Sequence, residues 1–335
     1  MNLSGQTCLV TGGAGFIGSE LCRQLLTAGA VVRIVDNLVN GKEANVAEIL
    51  GTDCTLHTTD IRDVEAMRTL IQGCDRVFHL ACLGVRHSIH SPVENHEVNA
   101  TATLNLLLLS RQLGVARFVY VSSSEVYGTA QQVPQPETHP TLPMTVYGAS
   151  KLAGECYTRA FFRTYDYATT VIRPFNSYGP RSHHEGDSGE VIPKFLLRTL
   201  AGKPMVIFGD GSQTRDFTFV SDTARGILEA GLAANTIGET VNIGSGFEIT
   251  IKELADEVRA VTGLPDAQII HESDRPGDVL RLYSDTTKAR ELTGFAPQVT
   301  LREGLTKLLA WYQARGLKPE ELLQNEIVRN WEVKA

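Results

Sequence analysis

Tyr147 and Lys151 stand four residues apart, on one face of any helix that contains them. A phenol with an ordinary pKa of ~10 is a poor base at neutral pH, and a lysine ammonium beside it favours the phenolate. Such a pair can take a proton from a hydroxyl. A surface helix pair would look the same, so the reading depends on what converges on it. Ser122-Ser123-Ser124-Glu125 closes the apolar run 117–122, and the Ser123 hydroxyl can orient the oxygen that Tyr147 deprotonates.

A second chemical stretch is Thr11-Gly12-Gly13-Ala14-Gly15-Phe16-Ile17-Gly18, set between the apolar run Cys8-Leu9-Val10 and a helical pattern through Leu21, Leu25 and Leu26. Gly12 permits the tight turn, Gly15 lets backbone approach a pyrophosphate, and Gly18 lets the helix pack on the sheet. The helix N-terminus then faces the anion. The run Val31-Val32-Arg33-Ile34-Val35-Asp36 ends in a carboxylate where a dinucleotide site needs an acceptor for ribose hydroxyls. That acid opposes a 2′-phosphate, so NAD is expected rather than NADP. Asp60-Ile61 reads as an adenine contact or, for Asp60 or Asp63, a helix N-cap. Leu80 and Ala81 would let backbone approach the second half of the cofactor. The candidate cofactor set is Gly12, Gly15, Phe16, Ile17, Gly18, Asp36, Asn37, Asp60, Ile61, Leu80, Ala81 and Asn99, with Tyr147 and Lys151.

The elements that must position these residues alternate. Strand patterns near 7–11, 31–36, 54–58, 76–81, 117–122 and 168–173 are interleaved with helical patterns near 17–29, 43–50, 63–72, 98–113 and 147–164. This predicts an α/β fold with a Rossmann-type doubly wound parallel sheet. A dinucleotide-binding domain over 1–174, with returns near 215–245, would be followed by a smaller C-terminal α/β substrate domain over 175–335.

Composition sets outer bounds. The 335 residues are 42% hydrophobic and 21% charged, enough for a large core and two domains. A net charge of −7 argues against a nucleic-acid surface. No apolar run approaches membrane-spanning length, so a soluble, cytoplasmic protein is expected. The cysteines at 8, 22, 54, 74, 82 and 156 read as reduced packing residues. His87, His90 and His96 lack a cysteine or paired acid at zinc-like spacing, so no metal is expected, and the Arg86–Pro92 loop reads as a place for polar substrate contacts.

With these motifs in hand, the chain resembles the extended short-chain dehydrogenase/reductase family, specifically the NAD-dependent nucleotide-sugar epimerases and dehydratases. The further marks are Arg173-Pro174-Phe175-Asn176-Ser177-Tyr178-Gly179-Pro180-Arg181, the 209–217 run through Arg215, and Arg275-Pro276-Gly277-Asp278. The resemblance implies Ser123 as catalytic hydroxyl and Tyr147 as base with Lys151, with Ser124 and Glu125 beside them. It implies Asn176 near the substrate phosphates, Lys194 and Phe208 near the nucleotide base, and Arg215 and Arg275 on the diphosphate. Arg86, Arg181 and Asp278 complete the candidate substrate set. Two arginines outside the cofactor domain are what a diphosphate requires in an acidic protein.

Members of this family first oxidise a sugar hydroxyl, usually at C4. Simple epimerisation needs only Ser123, Tyr147 and Lys151. Ser124-Glu125 replaces the Asp-Glu pair of the 4,6-dehydratases and resembles UDP-glucuronate decarboxylases, whereas the segment around 275–278 resembles epimerases. A UDP-sugar C4 epimerase ranks first, a decarboxylase second and a dehydratase third; a catalytically silent nucleotide-binding protein would have lost Tyr147 or Lys151. A homodimer is expected through the helices near 98–113 and 147–164, whose apolar residues, among them Leu104, Leu107, Leu108, Ala153, Ala160 and Phe161, exceed one face.

Overall fold

The computed structural model describes residues 2–186, 189–274, 279–329 and 331. The first half of the chain runs β1 (Thr7–Thr11), α1 (Phe16–Thr27), β2 (Val31–Asp36), β3 (Cys54–Thr58), α2 (Val64–Ile71), β4 (Arg76–His79), α3 (Val85–His90), α4 (Pro92–His96), α5 (Ala102–Gln112), β5 (Arg117–Val121), α6 (Val146–Tyr165) and β6 (Thr169–Pro174). There follow β7 (Asn176–Tyr178), α7 (Val191–Leu200), β8 (Met205–Phe208), β9 (Thr214–Arg215), β10 (Phe217–Phe219), α8 (Val220–Leu232), β11 (Thr240–Ile243), β12 (Ile249–Thr250), α9 (Ile251–Thr262), β13 (Ile269–Glu272), β14 (Arg281–Leu282), α10 (Thr287–Thr293) and α11 (Leu301–Ala314).

Seven strands form a parallel sheet in the order β11-β6-β5-β4-β1-β2-β3. Its strands are short apolar runs because both faces are covered. Alternate residues of β1 divide between the layers: Cys8 and Val10 pack with Leu21 and Leu25 of α1 and Ile227 of α8, while Leu9 packs with Met67 of α2 and Leu106 of α5. The strand order reverses between β1 and β4, which opens the crevice where such sheets bind ligands. A separate core joins Phe195 and Leu196 of α7, Leu254 of α9 and Leu308 of α11 beneath the short strands of the second half.

The chain returns to the main sheet where β11 pairs in parallel with β6, Thr240 opposite Val171. Some expected boundaries differ. The pattern at 43–50 is not one helix but two 3-10 turns, Glu43–Asn45 and Ala47–Ile49. The Lys42 N–H and the Asn45 amide both hold the Ala14 carbonyl, at 3.0 and 2.9 Å, so this stretch folds as a cover on the glycine turn. The fourth strand stops at His79, whose ring is held between Thr11 and Thr103 at 2.7 and 2.8 Å. On α5, Leu107 is buried, and so is Phe161 on α6, leaving Leu104 and Leu108 to face outward. Among the described residues no helix is long and apolar enough to cross a membrane.

Candidate active site

One cleft of about 1240 Å³ runs along the carboxyl edge of the main sheet and under the second half of the chain. That exceeds the ~300–1,000 Å³ of a single small-molecule pocket, so two ligands can lie in it together. Its first wall is the glycine turn. Gly12 has φ +70°, and a Cβ there would lie 2.8 Å from the Ala81 nitrogen. A Cβ on Gly18 would overlap the Gly12 carbonyl. Helix α1 begins at Gly15 with no side-chain cap and no acid in its first turn, which leaves its leading N–H groups for an anion.

At the end of β2, the buried Asp36 carboxylate accepts the N–H groups of Ala14 at 3.0 Å and Leu38 at 2.9 Å. Burial raises its pKa, and these two bonds pull the other way. A carboxylate has about four acceptor sites, so two remain for ribose hydroxyls. Asn37 bonds Asp60 at 3.2 Å, and the Arg62 side chain holds Asp60 down at about 2. The N-cap of α2 is Asp63, which leaves Asp60 in the cleft wall with Ile61, Leu80 and Ala81. Asn99 differs from the expectation: it is buried and does not line the cleft. Its side chain clamps the N–H and C=O of Leu83, at 2.8 and 2.9 Å, and bonds Ser150 at 3.1 Å. It shapes the wall from behind.

The catalytic candidates do converge. Strand β5 delivers Ser123, and α6 starts at a Thr145 cap with Tyr147 in its first turn. Ser123 lies close enough to the Tyr147 phenol to draw its pKa down, and both line the cleft with Ser124, Glu125 and Lys151. Lys151 is buried, donates to the Val121 carbonyl at 2.7 Å and lies 5.1 Å from the Tyr120 ring centre. Burial pushes the Lys151 pKa down and the Tyr147 pKa up, while Ser123 draws the phenol back. The lysine thus holds α6 to β5 as well as supplying charge. A third neighbour of the phenol is Cys82, whose proximity adds to the rise in its pKa. The sequence offered no signal for that role, since Cys82 looks like its five packing counterparts until β4 and α6 meet.

On the far wall, the Asn176 amide nitrogen is buried without a partner among the described residues. Lys194 donates to the Ile327 carbonyl at 2.8 Å, Phe208 meets Trp331 edge-on at 4.7 Å, and the Arg215 guanidinium bonds the Val279 carbonyl at 2.6 Å. These four and Arg86 all line the cleft. Arg181 does not: it pairs with Glu20 at 2.6 Å and lines a second cavity. Arg275 and Asp278 lie outside the described residues. Glu190 is a further cleft residue that its sequence context did not single out. It stands at the start of α7 without capping it, and burial pushes its pKa up to about 8. The histidines at 87, 90 and 96 form no metal cluster, and His87 instead faces Glu94 at 3.2 Å.

A doubly wound sheet, a glycine turn feeding an uncapped helix, and a Ser-Tyr-Lys set in one cleft define a dinucleotide-dependent enzyme of the short-chain dehydrogenase/reductase class. The family model for GDP-mannose 4,6 dehydratase matches residues 9–308. The UDP-glucose 4-epimerase of Mycolicibacterium smegmatis is 38% identical over 309 residues, covering 91% of this chain and 98% of its own. UDP-glucuronic acid decarboxylase 2 of Arabidopsis thaliana is 34% identical, over 93% of this chain and 69% of its own. Among solved structures, DesIV, a dTDP-glucose 4,6-dehydratase of Streptomyces venezuelae with NAD and TYD bound, superposes with a TM-score of 0.87 at 34% identity, over 93% of this chain and 98% of that one. The chain belongs to this family of nucleotide-sugar epimerases and dehydratases.

Proposed function

We propose that the protein is an NAD-dependent UDP-sugar 4-epimerase. The observation that carries the reading is that Ser123, Tyr147 and Lys151 meet in one cleft that also holds Asp36 and the glycine turn. When bound, NAD supplies hydride uptake from the sugar and its return. The chain's own groups do the rest. Tyr147 takes the C4 hydroxyl proton, Ser123 fixes that oxygen, and Lys151 keeps the ring of Tyr147 aligned while adding positive charge. The Asn176 amide, Lys194, Phe208 and Arg215 supply the polar and aromatic contacts that a nucleoside diphosphate needs. Position 124 is a buried serine, which cannot protonate a leaving hydroxyl as a dehydratase acid would.

Decarboxylation is the second reading, favoured by Glu125 in the cleft wall. Incubation with a panel of nucleotide sugars, resolved by mass and NMR, separates them. Epimerisation leaves the mass unchanged, decarboxylation removes carbon dioxide, and dehydration removes water. Failure to alter any UDP-hexose would sink the epimerase reading. Six unpaired cysteines support a cytoplasmic location. Leu104 and Leu108, one turn apart on α5, are exposed apolar side chains that support a homodimer.

A further inference from the structure

The second cavity, of about 310 Å³, lies behind the glycine turn, between the 3-10 turns after β2, the segment 181–185 and the end of α11. Four cations line it, Arg23, Lys42, Arg181 and Arg315, against two carboxylates, Glu48 and Glu185, among the described residues. Three of these cations already have acids: Arg23 pairs with Glu48, Lys42 with Glu185 at 2.5 Å, and Arg181 with Glu20 from outside the cavity. Arg315 has no ion pair among the described residues and stacks on Trp311 at 4.6 Å. Counting Glu20, the four cations face three carboxylates, which leaves an excess of one positive charge, that of Arg315.

Three further observations point to an occupant. Among the described residues the Arg181 Nε, the Ser182 Oγ and the His184 Nδ1 are buried short of full hydrogen bonds, with Ser182 set against the Tyr312 hydroxyl, and all three belong to cavity-lining residues. Ser182 and His184 are only 3% and 4% exposed. Buried polar atoms are ordinarily satisfied, so this four-residue segment keeps hydrogen-bonding capacity turned to a polar occupant. Arg181 also has φ +71°, a left-handed backbone that a non-glycine residue keeps only where its surroundings enforce it.

We propose that this cavity is an anion site for a phosphate-sized oxyanion, either free phosphate or the phosphoryl group of a monoester. The unpaired charge of Arg315 favours an anion, and Ser182 and the arginine forks supply oxygen-directed donors. The site bridges two parts of the chain. Its cofactor side is tied to the turn, since the Lys42 N–H and the Asn45 amide hold the Ala14 carbonyl; its other side is the segment after β7. An anion there fastens the cover of the dinucleotide turn to the substrate half, which stabilises the fold and slows dinucleotide release. Only this last effect rests on the reading under Proposed function.

The holoenzyme is titrated with inorganic phosphate, and separately with ribose 5-phosphate, at ionic strength held constant with chloride, while melting temperature is followed. Saturable stabilisation by phosphate is expected, weakened about tenfold or more in Arg315→Met and Ser182→Ala, with turnover in phosphate-free buffer unchanged in both. Saturation by phosphate alone assigns the site to the free ion; equal saturation by the monoester assigns it to a phosphoryl group. No stabilisation beyond that of chloride overturns the proposal. So does stabilisation of equal strength in both variants, which would place the anion in the main cleft. Slower dinucleotide release is read separately from the loss of NAD on dilution, so failure of the catalytic reading leaves the binding result intact.

Discussion

Tyr147 must lose a proton from a site that resists its loss, because burial and the Cys82 thiol both raise its pKa. Tyr147→Phe should abolish turnover and the transient NADH absorbance alike, since oxidation of the sugar fails. Glu125→Gln should keep epimerisation near normal; NADH that accumulates without product would show instead that Glu125 moves a proton after the oxidation, worth about 10²-fold or more. Cys82→Ala removes a contact that raises the phenol's pKa, so the acid limb of the kcat/KM profile should move to lower pH, and an unmoved limb would rule out that contact in the working enzyme. Glu190 gives a stability signature. Its folded pKa of about 8 lies above the ordinary 4.5, so the folded state binds the extra proton and loses stability as pH rises between those values. Glu190→Gln should therefore match the parent below about pH 4.5 and melt at a higher temperature by a margin that widens up to about pH 8. The glycine turn, Asp36, Tyr147 and Lys151 were picked out by their place at a strand end or in a helical repeat, and the fold brings them with Ser123 into one cleft. Cys82 and Glu190 were not picked out, since their roles arise from segments distant in sequence that meet only in the fold.

At the scale of elements, the base is aimed by how α6 is held to the sheet. Arg173 of β6 is buried and grips Glu155 of α6 through its Nε and Nη2 at 2.8 and 2.6 Å, and Arg159 adds a contact to the same carboxylate at 3.0 Å. Removing one partner of a buried pair leaves the other uncompensated, typically at about 3–5 kcal/mol. Arg173→Met should lose stability near the low end of that range in urea melts, because Arg159 still reaches Glu155. Adding Glu155→Leu should recover part of it. If the single variant proves neutral, the pair does not hold α6. The alternation of strand and helix made this layer arrangement readable, whereas the stretch at 43–50 departs from its helical pattern. Its residues suit a helix, but Lys42 and Asn45 take their hydrogen bonds to Ala14 and fix a tighter path.

For the whole molecule, the sequence showed surplus apolar residues on two helices, but not which of them face outward. Leu107 and Phe161 are buried in the core between the sheet and these two helices, and the remaining outward face on α5, Leu104 and Leu108, is the predicted dimer seam. A monomeric mass by light scattering at micromolar concentration would count against it, and Leu108→Glu should dissociate a dimer that does form. The placing of β11 at the sheet's edge bears on how the chain is made. While the protein emerges from the ribosome, β6 is complete long before the strand that covers its outer side, for α7, β8 and α8 must all be synthesised first. During that interval the nascent chain presents a bare strand edge to its surroundings, the kind of surface that recruits chaperones or pairs with a neighbouring nascent copy. A gene cut after Pro174 would make that interval permanent, so the first half of the chain is not a portable dinucleotide module.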